Sequence, residues 1–350
     1  MERERIPSLD GARAISISLV IASHAMWKGA APHILGFDYG NLGVRIFFVI
    51  SGFIITRLLI QERERIGRIS IAQFYLRRAF RILPAAYVCI AVMAGLLAIT
   101  TQLRWRWVVP AVFYYADYQH RHYAVLGQFW SLSVEEQFYL IWPAILVFLG
   151  VPKARYACGA LLVAAPLFRM LSVAGIWPTP SGSAFECVCD ALATGCLLAL
   201  LRDVLWSSAG YRRIVQCPMA WVVAALGVGL SCKGLPVFVR WVVGIPLLNV
   251  GIAVLLDRYM RMSHHTFMGR FLNLTPIIWI GTISYSVYLW QQPWMLSALP
   301  VAVRISCTML CALASFYLLE RRMMWLRGRI IERLVSRCDP GTVVSTERAG

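Results

Sequence analysis

Arg13 and His24 are the first pair of side chains in the chain that suggest chemistry. Eleven positions of an α-helix are about three turns, with a net rotation of about 20° and a rise of about 16 Å. If the segment is helical, guanidinium and imidazole share one face, half a membrane apart. A histidine that titrates near neutrality can take a proton from a hydroxyl and return it. A second set of candidates is the arginine-rich stretch Arg63, Arg65, Arg68, Arg77, Arg78 and Arg81, whose forked donors match phosphate. A third is a scatter of ionisable residues inside otherwise apolar stretches: Arg45, Glu135, Glu136, Arg169, Glu186, Asp190 and Arg240.

These residues matter because of the solvent around them. The chain of 350 residues is 59% hydrophobic and 15% charged, where soluble domains carry roughly 25% charged residues. That excludes a water-soluble enzyme, a secreted disulfide scaffold and a disordered chain. Ten windows are long and apolar enough to cross a bilayer: 9–27, 40–60, 82–101, 131–151, 156–174, 184–201, 217–231, 236–256, 271–295 and 305–320. An eleventh, 107–117, is too short. With ten crossings and both termini cytoplasmic, 24 of the 34 basic residues fall on the cytoplasmic side, as the positive-inside rule requires. If 107–117 also crossed, that segregation would collapse, so 107–130 is expected to be an outer loop with a partly embedded segment. The net charge of +17 is then a matter of topology, and no nucleic-acid partner is expected.

The expected fold is therefore all-α, a polytopic integral membrane protein of about ten helices. Residues 1–325 form the membrane domain, and 326–350 a basic, partly disordered cytoplasmic tail. Under this topology His24, Arg45, Glu135, Glu136, Arg169, Glu186, Asp190 and Arg240 all fall in the outer half, where a buried charge costs at least about 2.5–3.5 kcal/mol unless it is paired or wetted. One paired, hydrated cavity open to the outside is expected. No C-x-x-C pair occurs among the ten cysteines, so no metal centre is expected and the thiols read as packing groups.

Five segments, in order, carry a family resemblance. They are Ser8–Arg13 (SLDGAR) with His24, Gly43–Phe53 (GVRIFFVISGF), Phe74–Pro84 (FYLRRAFRILP), Phe129–Tyr139 (FWSLSVEEQFY) and Ile283–Trp290 (ISYSVYLW). Weaker echoes are Asp190-Ala191-Leu192 and Leu319-Glu320-Arg321. Over residues 6 to 325 the chain resembles the acyltransferase 3 family of integral membrane acyltransferases. The resemblance implies transfer of an acyl group, commonly acetyl, from acyl-CoA to a hydroxyl of a cell-envelope polysaccharide, lipopolysaccharide or lipid-linked sugar, in the inner membrane. Acetyl-CoA would be a co-substrate, with no tightly bound cofactor. His24 would be the base or a transient acyl carrier, with Arg13 steering the thioester and Glu135 or Glu136 holding the imidazole tautomer. Arg77, Arg78 and Arg81 would bind CoA phosphates. Arg45, Trp130, Ser133, Asp190, Tyr285 and Gln291 would hold the acceptor.

Two departures from the family pattern stand out. Many relatives resemble G-V-D where this chain has Arg45, and many carry a histidine where this one has Gln291 and Gln292. The membrane module alone is expected, without the hydrolase-like domain that follows it in larger members of the family it resembles. A rival class, a glycan or metabolite transporter, also places ionisable groups in spans, but no inverted repeat supports it. The pattern His33–Asp38 resembles a glycerolipid acyltransferase signature, yet falls in an outer loop without acyl-CoA.

Overall fold

The structure, a computed structural model, describes residues 6–26, 37–100, 103–119 and 124–338; His33 lies outside them. Helices make up nearly all of it, and no strand occurs among the described residues beyond an isolated bridge between Lys233 and Leu235. The apolar windows fall on helical stretches, 131–151 and 156–174 on one element and 184–201, 236–256, 271–295 and 305–320 each shared between two. In order the helices are α1 (Pro7–Met26), α2 (Tyr39–Ile66), α3 (Ile71–Thr100), the short α4 (Trp105–Val112), α5 (Phe129–Val173), α6 (Phe185–Val188), α7 (Asp190–Ser207), α8 (Ala209–Gln216) and α9 (Met219–Leu230). A π-helical turn, Val239–Gly244, leads into α10 (Ile245–Arg261). There follow α11 (Phe267–Leu272), α12 (Thr275–Met295) and α13 (Val301–Ala314), joined through a second π turn, Ser315–Glu320, to α14 (Arg321–Cys338). The first part of the expected tail, to residue 338, is thus helical; the rest lies outside the described residues.

Five stretches are long and apolar enough to cross a membrane by length and composition. One of them, α5, is two helices end to end. Gly150, at φ 74° and ψ 158°, adopts a conformation open essentially only to glycine, and Pro152 disfavours helix in the residue before it. The break separates the windows 131–151 and 156–174. By contrast α4 has eight residues, about 12 Å, too short for a helix to span a bilayer core of about 30 Å.

The outside of the bundle is apolar. Ile99, Leu140, Phe148, Val163, Leu226 and Leu310 are all more than half exposed, the reverse of a soluble surface and what a lipid solvent permits. At the centre lies α2, apolar on nearly every side, with Val49, Ile50, Ile55 and Leu59 fully buried. It packs most closely on α7 and α1. The α2–α7 contact is made backbone to backbone. A Cβ on Gly52 would lie 2.0 Å from the Leu192 carbonyl oxygen, and one on Gly195 2.0 Å from that of Val49. Small residues let membrane helices approach this closely, and the approach brings Arg45 of α2 beside Asp190 of α7.

Candidate functional site

Three neighbouring cavities share walls, named here by the expected topology. The inner one, about 1230 Å³, lies among α1, α2, α3 and α14, with six arginines (Arg13, Arg65, Arg77, Arg78, Arg81 and Arg327) facing one acid, Glu62. Arg77 and Arg78 are successive and Arg81 follows one turn after Arg77, so this segment of α3 aims all three at the cavity. Glu62 is already engaged, by Arg77 at 2.5 Å and the Ser70 amide at 3.2 Å. Arg13 has Asp10 at 3.2 Å, whereas Arg81 has no hydrogen-bond or ion-pair partner among the described residues and faces the like charges of Arg13 and Arg78. The cavity therefore carries an uncompensated excess of guanidinium.

Arg13, Arg78 and Arg81 also wall the central cavity, of about 730 Å³, with Ser51, Ser131, Glu135, Tyr139, Tyr285 and Tyr288. Here Ser51 Oγ donates to Glu135 Oε1 at 2.8 Å. Arg78 lies 4.2 Å above the Tyr139 ring. Ser131 and Tyr288 share a hydrogen bond, and Tyr285 donates to the Ile82 carbonyl at 2.7 Å.

Val44 and Tyr288 belong both to the central cavity and to the outer one. The outer cavity, about 1070 Å³, holds His24, Ser23, Asp38, Gln128, Trp130 and Gln292. Gln291 and Asp38 are the side chains that act on the imidazole. Gln291 Nε2 donates to Gln292 Oε1 at 3.0 Å, while Gln291 Oε1 and His24 Nδ1 are both buried without a standard hydrogen bond among the described residues. Arg304 closes the end of α1 by donating to the Ala25 carbonyl at 3.4 Å and to that of Met295 at 2.9 Å. A cation at two helix C-termini is favourable for the helix dipoles, and it pins the turn that carries His24.

Arg13 and His24 thus stand on one column, as their spacing predicts. Of the eight outer-half charges expected to share one paired cavity, His24 lines the outer cavity and Glu135 the central one. Arg45, Asp190 and Arg169 make a buried clasp instead: Asp190 Oδ2 accepts from Arg169 at 2.7 Å and Oδ1 lies 3.6 Å from Arg45. Asn41 and Asn249 take further Arg45 donors at 2.8 and 3.2 Å. Arg45 and Asp190 therefore hold α2, α5, α7 and α10 together, outside the walls of the three cavities. Ser133 is likewise structural, accepting from the Ala116 amide at 3.2 Å and donating to the Phe129 carbonyl at 2.8 Å. Glu186 accepts from Trp177 and Thr179 at 2.8 and 2.7 Å.

The expected pairing of His24 with Glu135 or Glu136 is also corrected. Glu135 is taken by Ser51 and faces Arg78 and Arg13. Glu136 is one position on, 100° round the helix, near Tyr114 and Arg78. Trp130, Tyr285 and Gln291 do stand at the cavities or against His24. Ser51, Tyr288 and Arg304 were not singled out from sequence. The first lay unremarked within the GVRIFFVISGF segment, the second within ISYSVYLW, and the third among the outer-loop charges.

One further acid organises the outer loop. Asp117 accepts from Gln137 Nε2 at 2.8 Å and the Phe185 amide at 3.1 Å, and its carbonyl accepts from Ser183 at 2.8 Å. Burial pushes its carboxyl up to about 7 against these donors. Among the described residues no cluster of three or more His, Cys, Asp or Glu could hold a metal ion.

The chain is 30% identical to the peptidoglycan O-acetyltransferase OatA of Listeria monocytogenes, over 85% of this chain and 51% of that one. It is 27% identical to the O-acetyltransferase OatA of Staphylococcus aureus, over 82% and 50%. It is 28% identical to the putative peptidoglycan O-acetyltransferase YrhL of Bacillus subtilis, over 85% and 49%. The chain spans about half the length of these curated relatives. No solved structure matches it. A family described as an acyltransferase domain matches residues 6–328, a span that includes every wall of the three cavities. On that match, the chain belongs to the acyltransferase 3 family.

Proposed function

We propose that the chain is a ten-span inner-membrane O-acyltransferase, with both termini cytoplasmic, that moves an acetyl group from acetyl-CoA to a hydroxyl of a cell-envelope glycan. The observation that carries this reading is the shared walls: Arg13 and Arg81 face both inner and central cavities, and Tyr288 and Val44 both central and outer ones. A donor with a phosphorylated end suits the arginine excess inside. Its acyl end would lie in the central cavity, and a sugar hydroxyl would enter from outside beside His24, against Trp130. The names of the relatives favour a peptidoglycan-like acceptor over lipopolysaccharide.

In the reaction the acceptor oxygen attacks the thioester carbonyl as His24 takes its proton. The C–O bond forms, the C–S bond breaks, and the proton passes to the departing thiolate, giving an ester and free CoA thiol. Arg13 steers the thioester from below. Gln291 orients the imidazole in the role first expected of a carboxylate, and Glu135 sets the position of the arginines.

Binding of CoA to the chain in lipid nanodiscs tests the donor half. Arg81→Gln should weaken binding about 10–100-fold, the loss expected for hydrogen bonds between charged groups. Affinity equal to that of the unaltered chain would refute the assignment of the inner cavity.

A further inference from the structure

An apolar groove of about 1130 Å³ lies on the other side of α1, between the α1–α2 pair and the α9–α10 hairpin. Ala12, Ile15 and Leu42 form one wall; Ala225, Leu248 and Leu272 belong to the other. The hairpin cannot close it by tightening, because a Cβ on Gly251 of α10 would already lie 2.6 Å from the Ala224 backbone of α9. Water does not fill so apolar a space, and a hydrocarbon chain suits it.

Its dimensions and rim specify which hydrocarbon. Leu248 and Tyr259 both line it, eleven residues of α10 apart, or about 16 Å. That is half of a bilayer core of about 30 Å, the depth of one leaflet. At the Tyr259 end the ring meets that of Trp221 edge-on at 6.4 Å, the aromatic placement typical of a membrane interface. Met268 and Leu272 of α11 line the same end. Between them Arg270 is exposed and without a side-chain partner among the described residues, and His264 and His265 are exposed just before it. The nearest acid along α10, Asp257, is committed to Arg202 at 2.8 Å and Arg261 at 3.0 Å. The rim is cationic.

We propose that this groove is a lipid site holding one acyl chain of an anionic glycerophospholipid of the cytoplasmic leaflet, its headgroup over Arg270, His264 and His265. The leaflet rests on the proposed topology, while the site itself does not depend on the acyl-transfer reading. Ala12 faces the lipid and Arg13 the cavities, so α1 is clamped between a lipid and the reaction path, and the lipid sets the seat of the helix that carries Arg13 and His24.

Native mass spectrometry of the full chain, released from nanodiscs of equimolar phosphatidylglycerol and phosphatidylethanolamine, tests this. One retained phosphatidylglycerol per chain is expected. Ala225→Trp, which fills the groove, should abolish retention. Arg270→Gln leaves the groove intact and should lower the preference for phosphatidylglycerol about fivefold, the effect of one charge near a membrane surface. It carries the test should Ala225→Trp fail to fold. Equal retention of both lipids by the unaltered chain, retention unchanged in folded Ala225→Trp, or a preference unchanged in Arg270→Gln would overturn the proposal.

Discussion

Ser51 donates to Glu135 at 2.8 Å across 84 positions of sequence, tying α2 to α5 at the central cavity. This bond commits the carboxylate to the side of the site that holds Arg13 and Arg78. His24 is left with Gln291, Gln128 and Trp130 at the other end. In the proposed reaction, proton transfer and donor placement therefore fall to different groups. Glu135→Gln should therefore raise the KM for acetyl-CoA and leave the pH profile of transfer in place, and Ser51→Ala should do the same more weakly, by about 2–12-fold. Loss of the neutral-pH limb of the profile in Glu135→Gln would return the carboxylate to the imidazole.

Asp190 is fully buried between Arg169 and Arg45. Breaking a buried ion pair from one side leaves uncompensated charge and costs about 3–5 kcal/mol. Asp190→Ala should lower the melting temperature of the detergent-solubilised chain and its yield in membranes, with an unchanged KM for acceptor in whatever remains folded. A stable variant with a raised acceptor KM would make Asp190 a substrate ligand instead.

The α2–α7 crossing depends on Gly195, where a Cβ would stand 2.0 Å from the Val49 carbonyl oxygen. Gly195→Leu must push two buried helices apart and should destabilise the fold by about 1–3 kcal/mol or more. Gly229→Ala, in α9 with nothing within 4 Å of its Cβ, should be neutral or stabilising by about 0.4–1 kcal/mol. Thermal unfolding of both variants in detergent checks the contrast.

Asp117 gives the outer loop a pH response. Its carboxyl is pushed up to about 7 by burial, against an ordinary value of about 3.9. The native state thus binds the proton more tightly than the unfolded chain does. The contribution to stability is full below about pH 4, falls as pH rises to about 7, and is level above that. The melting temperature should decline over this window, and Asp117→Asn should flatten the decline. An unchanged slope in that variant would assign the response to other groups.

The helices were legible in the sequence because a membrane span is a matter of length and composition, and the column of Arg13 and His24 because helical geometry relates positions eleven apart. What could not be read is which helix meets which. The clasp of Arg45, Asp190 and Arg169 was expected to line a cavity since each charge looks costly alone; the Gly52 and Gly195 contact that brings two of them together is invisible without the fold. For the same reason the sequence points to the strong acids Glu135 and Glu136 as partners of His24. The side chain that stands near the imidazole is Gln291, brought there by the packing of α12 on α1. Arg304 gave no signal beyond its charge, because its role is to two backbone carbonyls.

The most direct test of the account follows both halves of the transfer at once. The chain in nanodiscs is given acetyl-CoA labelled in the acetyl group, with a peptidoglycan-derived oligosaccharide as acceptor, and free CoA thiol and labelled sugar ester are measured together. The unaltered chain should release thiol and form ester in equal amounts, and His24→Ala should lower both by about 10²–10⁴-fold while CoA affinity is retained. Ester formation by His24→Ala at close to the unaltered rate would contradict it.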